Sequence, residues 1–154
     1  MKRIFRFLER LFEKSSNKRP EVIDYCPEQK MSERWSWSEL RVALYARVFD
    51  VEDLGLTEEY IAQCIGRTEG ALKRKGYRTI KRVREGGGSE KIKEILDLFA
   101  RSSRGAIHNQ MATLVFWESL EYAVQMNFVN DEVVEYVKKK RTDHLDKYFG
   151  AMAI

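Results

Sequence analysis

Cysteine and proline are scarce in this chain, and long apolar runs are missing. Cys26 and Cys64 stand alone, without CxxC or HxxxH spacing beside them, so the sequence indicates neither a disulfide framework nor a zinc site. No apolar run approaches the roughly 20 residues that span a bilayer. Arg6, Glu9 and Arg10 interrupt the apolar residues at the N-terminus, unlike in a signal peptide. We therefore expect a cytoplasmic protein, and membrane association is not favoured.

Signatures of catalysis are missing too. The sequence has no nucleophile elbow, no phosphate loop and no paired carboxylates at catalytic spacing. His108 and His144 are far apart, and neither has a metal-ligand partner at helical spacing. We expect a protein that is not an enzyme and that uses no cofactor or metal.

Helical periodicity is what the chain does contain. Only two prolines and nine glycines occur, and 44% of the residues are apolar, enough for a packed core. The spacing of apolar residues predicts helices over residues 37–50, 58–65, 69–85, 90–101, 106–127 and 131–149. The helix over 37–50 has Leu40, Ala43, Leu44 and Val48 on one face. The helix over 106–127 is apolar nearly all round, which is typical of a central buried helix.

Short polar residues indicate where several of these helices begin. Ser36 and Glu39 have the spacing of a capping box, in which each side chain bonds the backbone amide of the other residue. Thr57, Thr68 and Asn130 each precede a predicted helix and can accept a hydrogen bond from an amide of its first turn.

The segment Ile61–Arg84, IAQCIGRTEGALKRKGYRTIKRVR, changes character at Gly66. A short apolar helix precedes this glycine, and eight of the eighteen residues that follow it in the segment are Lys or Arg. Gly66 can adopt the positive φ of a tight turn, and Ala62 allows two helices to approach closely. Two short helices around such a turn are typical of a helix-turn-helix.

The stretch LTEEYIAQCIGRTEGALKRKGYRTIKRVR resembles the helix-turn-helix of region 4 in bacterial sigma factors. GRTEGAL is also similar to Myb/SANT-like tri-helical domains, which open on a tryptophan as WSWSEL does here. The positions that match the sigma-factor pattern are Leu56, Thr57, Glu59, Ile61, Ala62, Gly66, Gly70, Ala71, Leu72, Lys73 and Lys75. Gly76 stands where that family has a leucine. The resemblance implies that the second helix enters the major groove of DNA.

We predict an all-α fold: a tri-helical helix-turn-helix unit followed by a helical C-terminal region. Residues 1–34 are expected to form a basic amphipathic N-terminal arm and a linker. Residues 35–85 are the expected DNA-binding domain, with Trp35 and Trp37 as core anchors. Residues 86–154 begin with the flexible stretch GGGS and are expected to mediate oligomerisation or partner binding.

The outward face of the basic helix carries the predicted DNA contacts. With Leu72, Gly76, Ile80 and Val83 facing inward, two neighbouring rows of side chains face outward, and they hold five cations and one tyrosine. The residues placed to reach base edges are Arg67, Thr68, Glu69, Lys73 and Arg74. Those placed beside them or toward phosphates are Tyr77, Arg78, Lys81, Arg82 and Arg84. The expected partner is double-stranded DNA.

Two functions from different classes remain open. The first is a transcription regulator that reads DNA and pairs with a second copy through residues 90–149. The second is a helical adaptor that docks on a larger DNA-processing machine, such as RNA polymerase, or that resembles the small subunit of a viral terminase. The basic run at 138–141 is either a solvated helix face or a second phosphate patch.

Overall fold

The computed structural model describes residues 19–102, 106–127 and 129–149, without the side chains of 102, 106–109, 148 and 149. Every regular element in these ranges is helical, which confirms the predicted all-α fold. The α-helices are α1 (Pro27–Lys30), α2 (Trp37–Val48), α3 (Glu58–Cys64), α4 (Glu69–Arg84), α5 (Glu90–Ser102), α6 (Ala106–Met126) and α7 (Asp131–Phe149), with a 3₁₀ helix at Val51–Leu54. The predicted helix of the N-terminal arm and the side chain of His108 lie outside the described residues.

The helix starts are where the sequence predicted them. Ser36 Oγ accepts from the Glu39 amide at 3.1 Å, and Glu39 Oε1 accepts from the Ser36 amide at 3.3 Å, which completes the capping box. Thr57, Thr68 and Asn130 each accept a hydrogen bond from the amide three residues further on. The caps of α2, α3, α4 and α7 are thus confirmed.

The linker differs from the prediction at α1. The sequence predicted no helix in the linker before residue 37, but Pro27–Lys30 form one helical turn. Pro27 occupies a first-turn position, where its missing N–H costs nothing and its fixed φ suits the helix.

Helix α2 lies at the centre of the fold, between α4 and α6. Its buried residues include Val42 and Tyr45 as well as the predicted Leu40, Ala43 and Leu44, whereas Val48, predicted on the same face, is 38% exposed. The single-face prediction is therefore too narrow, because neighbours on two sides bury two faces of α2.

Aromatic packing joins α2 to the C-terminal helices. The Tyr45 ring stacks on Phe116 of α6 at 4.4 Å between centroids and meets Phe99 of α5 edge-on at 5.7 Å. The Tyr45 hydroxyl and Thr113 Oγ1 are 3.2 Å apart and share a hydrogen bond. Because these residues span both halves of the chain, α2 and the C-terminal helices share one core.

Helix α6 is buried on a broad face but not all round, so that prediction is only partly right. Phe116, Trp117 and Leu120 are buried against α2, α5 and α7. The opposite side exposes an apolar stripe of Met111, Leu114, Tyr122 and Met126, which Glu118 interrupts. In the described parts of the chain, no helix has both the length and the hydropathy to cross a membrane.

Candidate nucleic-acid interface

A four-residue turn, Ile65–Thr68, connects α3 to α4. Gly66 has φ of +74°, the left-handed conformation that was predicted for it. The Arg67 amide donates to the Ala62 carbonyl at 2.8 Å, which closes the end of α3. Gly66 also leaves room for the Lys30 side chain, since a Cβ on Gly66 would lie 2.7 Å from Lys30 Cδ.

Helix α4 packs one face on α2 and leaves the other open. Leu72 and Gly76 are buried, and Ile80 and Val83 are half-buried, in the predicted inward stripe. Gly76 lies so close to α2 that an added Cβ would be 2.7 Å from the Ala43 carbonyl oxygen. This close approach holds α4 firmly against the body of the protein.

The opposite face of α4 is exposed over its whole length, as predicted. Tyr77 is 66% exposed in the middle of this face. The exposed cations are Lys73, Arg74, Arg78, Lys81, Arg82 and Arg84. At about 1.5 Å per residue, the sixteen residues of α4 extend about 24 Å.

Acidic side chains border one flank of this face. Lys73 Nζ lies 3.0 Å from Glu69 Oε1 and 3.5 Å from Glu58 Oε2. The hydrogen bond and charge of Glu69, followed by the charge of Glu58, raise the pKa of Lys73. Asp50 and Glu59 line the same surface hollow. The charge of Lys73 is therefore largely offset by its neighbours.

The other flank is cationic. Arg74, Lys75, Arg78 and Arg82 line one wall of a groove of about 380 Å³, and we call it the arginine groove. Its opposite wall consists of Pro27, Met31 and Trp35 of the linker, and the remaining lining residues are Arg67, Thr68, Ala71 and Thr79. No carboxylate lines the groove among the residues that the structure describes.

The groove cations differ from Lys73 in their pairing. Arg74 donates from Nε to the Gly70 carbonyl at 3.3 Å. Within the described ranges, Arg74, Lys75, Arg78 and Arg82 have no carboxylate within ion-pair distance. Their charges are available to an anionic partner.

Arg67 corrects one of the predicted contacts. It was expected to reach a base edge, but its residue surface is only 3% exposed. Its Nε donates to Glu39 Oε2 at 3.0 Å, and the guanidinium lies over the Trp35 ring, 4.6 Å from the centroid. The turn directs Arg67 inward, where a carboxylate and an aromatic face compensate for the loss of water.

The Arg67 guanidinium also ties down the chain segment between α1 and α2. It donates to the backbone carbonyls of Lys30, Glu33 and Arg34, the last two at 3.2 Å each. In the other direction, Lys30 Nζ donates a hydrogen bond to the Ile65 carbonyl of the turn at 3.0 Å. Arg67 is thus a structural link between the α3–α4 turn and one wall of the groove.

Thr68 and Glu69 lie at the start of α4 as predicted, but their polar atoms are already engaged. The Thr68 hydroxyl oxygen accepts from the Ala71 amide at 3.0 Å, and Glu69 pairs with Lys73. Sequence reasoning missed Lys75 as a lining residue, although it is one helical turn from Arg78. Met31 carried no sequence signal, because its position depends on the fold of the linker.

Neighbouring side chains offset much of the positive charge of the basic run at 138–141. Lys138 pairs with Glu135 at 3.9 Å, Arg141 pairs with Glu121, and Lys140 Nζ lies 5.6 Å from the Tyr136 ring centroid. The run therefore offers less free charge than the arginine groove. No set of His, Cys, Asp and Glu side chains in the described ranges comes together as a metal site.

Comparison with known proteins leaves the family open. The chain matches no protein-family model, and no curated protein or solved structure is significantly similar to it.

Proposed function

We propose that this protein binds double-stranded DNA and regulates transcription, with α2, α3 and α4 acting as a helix-turn-helix unit. The observation that carries the proposal is the row of Arg74, Arg78 and Arg82, which is exposed and has no carboxylate within ion-pair distance among the described residues. Such a row along one helix matches a polyanion with regularly spaced charges.

The dimensions of α4 support the same proposal. The major groove is about 12 Å wide and admits one α-helix. Helix α4 packs mainly on α2, with further contacts to α3 and α5, and its opposite side is exposed for about four turns. The turn that precedes it is rigid, because Gly66, Ala62 and the Thr68 cap fix its geometry. A rigid, half-exposed helix is suited to insertion into a groove.

The charge distribution around α4 supports one orientation of the proposed duplex. The Lys73 flank faces Glu58 and Glu69, which repel phosphates, whereas no acidic residue in the described part of the chain lines the groove on the Arg78 flank. We infer that the DNA axis is displaced toward Arg74, Arg78 and Arg82. Lys81 and Arg84 would then contact phosphates beyond the C-terminal end of the inserted helix.

Selection of bound fragments from a random-sequence duplex pool tests the proposal. We expect enrichment of a shared site by the wild-type protein and loss of enrichment by Arg74→Ala/Arg78→Ala. Lys91→Ala/Arg101→Ala removes the same charge from α5 and serves as the matched control, which should still enrich the site. Equal enrichment by both double variants would contradict the proposal.

A helical adaptor is the second candidate function. The observation that favours it is the exposed apolar stripe of Met111, Leu114, Tyr122 and Met126 on α6, because such stripes often mark protein contacts. The same stripe is compatible with a homodimer or with docking on RNA polymerase. Mass measurement in solution separates the candidates: a ring of about eight chains favours a terminase-like assembly, and a monomer or dimer favours the regulator.

A further inference from the structure

We infer that the segment Pro27–Trp35 is a second DNA-contacting element, and that the arginine groove between it and α4 holds one sugar–phosphate strand of the duplex. This inference rests on the proposed function, since it needs α4 in the major groove. It adds a contact surface outside the helix-turn-helix unit, in a part of the chain whose sequence showed no binding signal.

The two walls of the groove match the two surfaces of a sugar–phosphate strand. One wall supplies the cations Arg74, Lys75, Arg78 and Arg82, which suit phosphate oxygens. The other wall supplies the apolar surfaces of Pro27, Met31 and Trp35, which suit the faces of deoxyribose rings. Met31 is 70% exposed, so its side chain is available at the rim.

Insertion of α4 into the major groove of DNA would bring a sugar–phosphate strand next to the arginine groove. A helix inside the major groove has a sugar–phosphate strand on each side of it. On the Lys73 side, Glu58 and Glu69 oppose the approach of a strand. On the Arg78 side, no carboxylate of the described residues lines the groove, which can therefore receive a strand. One strand is therefore held on this side.

The apolar wall is fixed before any ligand arrives. The Arg67 guanidinium bonds three carbonyls of the segment, at Lys30, Glu33 and Arg34, and lies over Trp35. The ion pair with Glu39, at the start of α2, anchors Arg67 in turn. Because the wall is held in place, little ordering entropy is lost on binding. Arg67 acts as a positioning residue rather than as a DNA contact.

Charge substitutions at the groove rim test the inference without touching the core. We compare Met31→Lys with Met31→Glu for binding to the selected duplex at fixed salt. Ile23→Lys and Ile23→Glu are the matched controls, because Ile23 is 74% exposed in the same linker but does not line the groove. Circular dichroism and urea midpoints establish that all four variants fold as the wild type does.

We expect Met31→Lys to bind the duplex roughly tenfold more tightly than Met31→Glu, because the two variants differ by two charges beside a phosphate. The two Ile23 variants should differ by less than about twofold under the same screening. The log–log slope of affinity against salt should also be steeper for Met31→Lys than for Met31→Glu. The difference should correspond to about one to two phosphate contacts, each of which contributes roughly 0.9 to the slope.

Three results would overturn the inference. In the first, the two Met31 variants differ in duplex affinity no more than the two Ile23 variants do, although Arg78→Ala still weakens binding. The proposed function would then stand without the second DNA-contacting element. The second is a Met31 effect on an acidic polyglutamate peptide but not on the duplex, which would assign the groove to protein. The third is failure of the wild type to bind any duplex, which would remove the proposed function as well.

Discussion

Gly76 of α4 lies so close to the Ala43 backbone of α2 that the space between the two helices leaves no room for a side chain there. A Cβ on Gly76 would lie 2.7 Å from the Ala43 carbonyl oxygen and 2.5 Å from Arg47 Cγ. Arg47 could move, but the carbonyl belongs to the central helix and could not. The placement of α4, and with it the position of the arginine groove, therefore depends on the lack of a side chain at Gly76.

Gly76→Ala tests that contact, with Gly70→Ala as its matched control on the same helix. Alanine favours helix by up to about 1 kcal/mol, and an added Cβ at Gly70 meets nothing within 4 Å. We expect Gly70→Ala to be neutral or stabilising in urea denaturation. Gly76→Ala should lower the free energy of unfolding by about 1–3 kcal/mol through overpacking. Equal stability of the two variants would show that α2 and α4 are further apart.

Arg67→Met tests the buried link between the turn and the linker. Removing the guanidinium leaves the buried Glu39 with Lys30, 3.5 Å away, as its remaining ion-pair partner among the described residues. We expect a loss of about 3 kcal/mol in the free energy of unfolding. Adding Glu39→Gln should recover part of that loss, because glutamine keeps the capping box and carries no charge. Additive effects of the two substitutions would argue against a direct pair.

The cap positions and Arg67 show what sequence can and cannot predict in this chain. Ser36, Thr57 and Thr68 were predictable because a cap acts on an amide three residues away. Arg67 was misassigned because its partner Glu39 is 28 residues away, and no local pattern signals that pair. The cationic row of α4 followed from helical periodicity alone.

The burial of α2 by neighbours on more than one side was the second feature that the sequence did not predict. The periodicity of α2 indicated one apolar face, yet neighbours from both halves of the chain bury Val42 and Tyr45 as well. The close approach of α2 at Gly76 was not predictable either, because it depends on the position of Ala43 in the folded protein. Met31 forms part of a groove because the linker folds back on α4, which a short and irregular sequence does not specify.

The two cysteines should differ sharply in reactivity. Burial raises the pKa of the Cys64 thiol to about 12, whereas the Cys26 side chain is exposed. A thiolate is the reacting species, so at pH 8 we expect one thiol to react with an aromatic disulfide reagent in the folded protein and two in urea. Cys26→Ser should abolish the reaction of the folded protein. Rapid labelling of that variant would show that Cys64 is accessible.

Lys73→Ala and Arg78→Ala each remove one positive charge from the exposed face of α4, so their effects on duplex binding can be compared directly. Because Glu69 and Glu58 offset the charge of Lys73, we expect Lys73→Ala to weaken duplex binding less than Arg78→Ala. Glu69→Ala should tighten binding to random duplexes by removing a negative charge near phosphates. Fluorescence anisotropy with one labelled duplex measures all three variants. A larger loss for Lys73→Ala would place the duplex on the acidic flank instead.

The salt dependence of duplex binding tests the central claim most directly. If the unpaired cations of α4 contact five or six phosphates, the log–log slope of affinity against salt should be about −4 to −6, at roughly 0.9 per contact. Arg78→Ala/Arg82→Ala should reduce the magnitude of that slope by about two units, and Lys91→Ala/Arg101→Ala should leave it unchanged. The same slope for wild type and both double variants would contradict the account, because the phosphates would then lie on some other surface.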